Sequence, residues 1–161
     1  MEKINPKKAR AVWQRVLQAK HEQPPMPRPE RPPLPEQPSE AELLQWLAEI
    51  AALARGYRSM NAGRRTPQLR AMAAEEQGHY RQLAALFFLL YGRRPQVLSG
   101  AAPGRRSLAA GLRDAYAAEQ NAVRQWREAA TRYPAQRELF EDFIRDDRRH
   151  AEQLRRMMAN L

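Results

Sequence analysis

No cysteine occurs among the 161 residues, which excludes disulfides, thiolate metal sites and cysteine nucleophiles. Lysine is scarce: Lys3, Lys7, Lys8 and Lys20 are the full set, all within the first twenty residues. No charged-then-apolar leader opens the chain. The longest apolar run, Leu83 to Tyr91, falls far short of the roughly 20 residues a membrane span needs. A soluble, cytoplasmic protein with no membrane partner is the expectation. Aromatics make up 7% of the chain and sit mainly in apolar stripes. They are not interleaved with basic residues, as a base-stacking surface requires. The net charge of +10, carried mostly by arginine, then reads as solvated helix faces, and nucleic acid is not an expected partner.

The chain divides by composition. Residues 1 to 23 are basic, and Pro6 can open a short helix to Gln18 with Val12, Trp13, Val16 and Leu17 on one side. Residues 24 to 38 hold Pro24, Pro25, Pro27, Pro29, Pro32, Pro33, Pro35 and Pro38, a composition that predicts a stiff polyproline spacer. From Ser39 to Leu161 the pattern is helical, and long enough for one domain with a real core.

Four helix signals follow one another there. Ser39 with Glu42 is a capping box for a helix over about residues 40–60. Thr66 and Pro67 open a second helix that Gly92 ends, and Ser107 caps a third that runs to about Tyr133. Pro134 starts a fourth that reaches the C-terminus. The short connections at 61–66 and near 134 predict two antiparallel hairpins. Between them, residues 92–106 can extend to roughly 50 Å, more than the about 37 Å length of a 25-residue helix. The expected fold is therefore all-α: a four-helix bundle of two hairpins with one long crossover between its second and third helices.

Two apolar seams in this region are interrupted at the same phase. One runs Leu69, Met72, Glu76, His79, Leu83, Leu86, Leu90, and the other Phe140, Phe143, Asp147, His150, Leu154, Met157, Leu161. Steps of three and four mark each as one buried stripe. An ionised carboxylate in such a stripe is costly unless it is paired or binds a metal. Glu119 interrupts a third stripe, Leu108, Leu112, Ala115, Ala122, Trp126, Ala129, Tyr133. Glu76-x-x-His79 and Asp147-x-x-His150 each put two ligands on one helical face. With Glu119 they form a carboxylate–imidazole cluster of the kind that suits Fe, Mn or Zn. Glu75 and Asp146, each one residue before a ligand, are candidate acceptors for the outer nitrogen of the histidine on the opposing helix.

At these residues the chain resembles the ferritin-like di-metal carboxylate proteins, in which the first and third bundle helices each give a Glu and the second and fourth each give Glu-x-x-His. AAEEQGHYRQLAALFFLLYGRRP resembles the second helix of rubrerythrin-like bacterial members, and FIRDDRRHAEQLRRMM resembles their fourth. Trp126, seven residues after Glu119, matches an aromatic position common in such families. The resemblance covers residues 40 to 161. It implies iron, as a di-iron pair, with manganese or zinc as alternatives, and oxidase, peroxidase or metal-handling chemistry. It makes Glu76, Glu119, Asp147 and Glu49 the bridging and charge-neutralising ligands and His79 and His150 the terminal ones. A rubredoxin-like centre needs four cysteines, so electrons would come from outside.

Two positions depart from the pattern. Asp147 stands where the family has the longer Glu. Counting back seven residues from Tyr57 gives Ile50, whereas Glu49 lies about 100° away around the helix. The first bundle helix must rotate to present Glu49, or the site holds three carboxylates and tends toward a mononuclear or asymmetric form. The competing expectation is a non-enzymatic scaffold with a degraded site. In either case a homodimer, or a protein partner engaged by the N-terminal arm, is the expected association.

Overall fold

The computed structural model describes residues 6–22, 36–60, 63, 66–97 and 107–161. Every regular element among them is helical. The chain separates into two compact units, Met1–Leu34 and Pro35–Leu161.

The first unit contains α1, Pro6–Glu22. Proline suits the first helical position because its missing N–H would have no intrahelical partner there. The helix runs one turn past the expected Gln18. Val12, Trp13, Val16 and Leu17 are exposed along it. The polyproline spacer expected over 24–38 lies outside the described residues as far as residue 35.

The second unit is built from α2 (Glu40–Ser59), α3 (Thr66–Tyr91), α4 (Leu108–Arg132) and α5 (Arg137–Met158). Local chemistry sets their ends. The Ser39 hydroxyl accepts from the Glu42 N–H at 3.3 Å, and the Glu42 carboxylate accepts from the Ser39 N–H at 2.9 Å. This reciprocal pair satisfies two of the donors that a helix start leaves open. Ser107 caps α4 through the Ala110 N–H at 3.2 Å. Gly92 closes α3 at φ +67°, with its N–H bonded to the Phe88 carbonyl at 2.8 Å. That left-handed turn strains any residue with a Cβ. Pro134 starts a single 3-10 turn, Pro134–Gln136, rather than α5 itself. The long connection after α3 is described only to Val97, so residues 98–106 of the expected crossover lie outside the description.

Helix α2 packs along α3 and α4 along α5; α2 also meets α4, and α3 meets α5. Among the described residues the core gathers in two apolar clusters. One gathers Leu43, Trp46, Ile50, Phe87, Trp126 and Phe140; the other gathers Tyr57, Leu69, Met72, Leu112, Leu154 and Met157. On α3, Glu76 and His79 fall between Met72 of one cluster and Leu83 of the other. On α5, Asp147 and His150 fall between Phe143 and Leu154. The polar residues therefore occupy a layer bounded by apolar packing at both ends.

Trp46 joins α2 to the other helices. Its ring meets Trp126 edge-on at 5.4 Å, Phe140 at 5.7 Å and Tyr133 at 6.3 Å. Truncating a buried indole removes its burial energy and leaves a cavity. Trp46→Ala should cost about 3–5 kcal/mol, seen as a lower urea midpoint at unchanged m-value.

Candidate metal centre

Five ionisable side chains from three helices share the polar layer: Glu76 and His79 of α3, Glu119 of α4, and Asp147 and His150 of α5. None exceeds 5% exposure. Helical geometry explains the pairing, because residues three apart lie on one face one turn apart. One ligand atom each of Glu76, Glu119, Asp147 and His150 falls within 4.8 Å of the others. His79 stands beside this foursome, its Nδ1 3.5 Å from Glu76 Oε2 and 3.7 Å from Asp147 Oδ1.

His150 Nδ1 lies 3.1 Å from both Glu76 Oε1 and Glu119 Oε1. One ring nitrogen carries at most one hydrogen, so it satisfies a single acceptor well. That bond goes to Glu119, and Glu76 Oε1 has no hydrogen-bond partner. The same holds for Glu119 Oε2 and Asp147 Oδ1. Each of the three buried carboxylates thus has one oxygen without a donor. Buried polar atoms are normally satisfied, and a cation among these oxygens would satisfy all three.

Two of the three remaining oxygens accept from neutral donors. The Tyr57 hydroxyl donates to Glu119 Oε1 in a short bond, and Trp126 Nε1–H donates to Asp147 Oδ2 at 2.8 Å. The outer nitrogens of both histidines meet carboxylates of the opposing helix. His150 Nε2 lies 2.5 Å from Glu75 Oε2, and His79 Nε2 lies 3.3 Å from Asp146 Oδ2. Arg149 Nη2 bridges those two acids, at 2.8 Å to Glu75 and 3.0 Å to Asp146. Outer Nε2–H donation turns each Nδ1 toward the interior, which is how a ligating histidine is oriented.

Crowding of charge shifts the titrations. Burial, then the charges of Glu119 and Glu76, push the Asp147 carboxyl up to about 8. Burial and the Glu76 charge likewise raise Glu119. Burial would also raise Glu76, but the imidazoles of His150 and His79 beside it hold it below its ordinary value. Burial would lower His150, yet the carboxylates of Glu119 and Glu76 against its Nδ1 outweigh that and carry it to about 11. His79 is raised against its own burial by Glu76 and Asp147. Burial, then the Glu119 charge, raises Tyr57 and keeps it a neutral phenol. Without a metal, protons on imidazole nitrogen and on Asp147 balance the carboxylates.

Glu49 is not brought to this layer. It is exposed, and its carboxylate accepts from Gln45 Nε2 at 2.9 Å. Ile50 is buried instead. The helix does not rotate because Trp46, Ile50 and Tyr57 fix its inward face, and a turn of 100° would exchange them for Gln45, Glu49 and Gly56. What α2 contributes is the Tyr57 hydroxyl. Stripe spacing marks Tyr57 as a core residue, but its bond to Glu119 could not be read from spacing. The bond from Trp126 to Asp147 was equally hidden, although the resemblance had singled out that aromatic.

Both His150 and Asp147 bind protons more tightly in the folded chain than in the unfolded one. The stability contributed by His150 is complete below about pH 6.5 and lost toward 11. That from Asp147 is complete below about 3.8 and lost toward 8. The metal-free protein should therefore lose stability as pH rises from about 6.5 to 8, where both act in the same direction. Urea midpoints of chelator-treated protein at the two pH values measure this, and His150→Gln should flatten the difference.

No family model and no curated protein matches this sequence. A solved structure does match: a hypothetical protein from Pyrococcus furiosus, 18% identical, with a TM-score of 0.62. The alignment covers 75% of this chain and 89% of that one. At this identity the likeness establishes a shared all-helical fold.

Proposed function

We propose that residues 39–161 form a ferritin-like four-helix bundle, rubrerythrin-like in its second and fourth helices, that holds iron or manganese among Glu76, Glu119, Asp147, His150 and His79. The supporting observation is the set of three buried carboxylates, each with one oxygen lacking a donor, grouped with the His150 nitrogen within 4.8 Å. Carboxylate oxygen and imidazole nitrogen are the donors such ions prefer. Bound there, the metal would supply redox chemistry toward dioxygen or peroxide, or would be stored and passed on.

The protein's own groups have separate tasks. Glu76, Glu119 and Asp147 neutralise charge. His150 completes the tight foursome, and His79 offers a nitrogen on the Glu76–Asp147 side. Glu75 and Asp146 orient the imidazoles. Tyr57 and Trp126 fix one oxygen each of Glu119 and Asp147. The apolar clusters on either side limit water. With Glu49 outside and Ile50 inward, three carboxylates remain, which favours one tight ion and an asymmetric second position over a symmetric pair.

A second reading, a non-enzymatic scaffold acting through its N-terminal arm on a partner or sister subunit, draws on the exposed Val12, Trp13, Val16 and Leu17 of α1. Metal analysis separates the two. Protein loaded anaerobically with Fe(II) or Mn(II) and desalted should retain at least one equivalent per chain. Glu119→Gln should weaken binding at least tenfold, and the His79→Ala/His150→Ala pair should abolish it while helicity persists. Loading should also release protons and tighten as pH rises, because the ion displaces protons held at the imidazoles. Equal metal content in wild type and the double histidine variant would overturn the metalloprotein reading.

A further inference from the structure

A second site lies on another face of the same unit. Arg58 near the end of α2 and Arg70 and Arg81 of α3 line a cleft of about 510 Å³, together with Ala73, Ala74 and Gln77. Among the described residues, no acidic side chain lines it. None of the three arginines forms an ion pair among the described residues. On α5, by contrast, Arg145, Arg149, Arg155 and Arg156 each meet a carboxylate. One concave face thus holds three guanidiniums without an ion pair among the described residues.

The lining has a spatial order. Arg70, Ala74, Gln77 and Arg81 follow one another by three or four residues, so they form one stripe along α3, with Ala73 beside it. Arg70 and Arg81 are eleven residues apart, about 16 Å along the axis. Between them stand two methyl side chains and one neutral amide. Arg58 faces this stripe from α2. The alanines leave the space open, and the arginines supply planar forks that match phosphate oxygens in pairs. The volume falls within the range of small-ligand sites, roughly 300–1,000 Å³. A single small anion reaches one end of such a stripe; a linear chain of anionic groups reaches more of it.

We infer that this α2–α3 cleft binds a linear phosphate chain, with Arg70 and Arg81 gripping its two ends and Arg58 closing over it. Two sources share that chemistry, inorganic polyphosphate and the triphosphate of a nucleotide. The inference rests on the cleft alone and stands or falls independently of metal binding.

Calorimetric titration of the full chain at fixed ionic strength tests it, with orthophosphate, pyrophosphate, tripolyphosphate, AMP and ATP as probes. Affinity should rise with chain length, and AMP should bind no better than orthophosphate. Arg70→Gln/Arg81→Gln should weaken tripolyphosphate at least tenfold. Arg113→Gln/Arg127→Gln removes the same charge from the exposed face of α4 and should leave binding within twofold. Any heat from chelation of a bound ion would be common to all variants. ATP tighter than tripolyphosphate assigns a nucleotide as the source, and ATP equal or weaker assigns the inorganic chain. Equal loss in both double variants would reduce the effect to net charge. That outcome, absent binding, or indifference to chain length would overturn the inference.

Discussion

The mutual repulsion of Glu76, Glu119 and Asp147 is the constraint around which the second unit is arranged. Two like charges about 4 Å apart repel by about 4 kcal/mol at an effective dielectric of about 20. Three in one buried layer cannot all remain ionised without opposite charge. In the metal-free protein that charge comes from protons on His150 and His79 and from partial neutralisation of Asp147. A buried ionic cluster seldom adds net stability, because desolvation offsets most of the attraction. The apolar clusters on both sides supply the folding energy and hold the charged layer in place.

This division of labour explains the neighbours of the site. Tyr57 and Trp126 are large apolar bodies with one polar tip each, so each belongs to the core while its tip serves a carboxylate. They replace water that a buried carboxylate would otherwise require. Outside the layer, Glu75, Arg149 and Asp146 link both imidazoles across α3 and α5. The two histidines are consequently held by one continuous network rather than by separate partners.

Much of this was legible in the sequence, and the reasons are local. Ser39, Ser107 and Gly92 mark helix ends through chemistry that acts within four residues. Glu76, His79, Glu119, Asp147 and His150 stand out because a charge in a helical seam is costly wherever the helix packs. Glu75 and Asp146 follow from adjacency to those ligands. Ile50 shows the limit of family pattern against phase: spacing from Tyr57 turns Ile50 inward, and that is the residue found buried, while Glu49 faces out. The tips of Tyr57 and Trp126 and the alignment of Arg58 with the α3 stripe depend on how different helices approach each other. Single-helix periodicity carries no information on that.

The bond from Trp126 to Asp147 has an optical consequence. An indole whose N–H is tied to a carboxylate feels the charge on that group, so its emission changes when the group changes state. Trp46 sits edge-on to the same ring at 5.4 Å. The chain thus contains its own fluorescent gauge of the charged layer, placed on the Asp147 side.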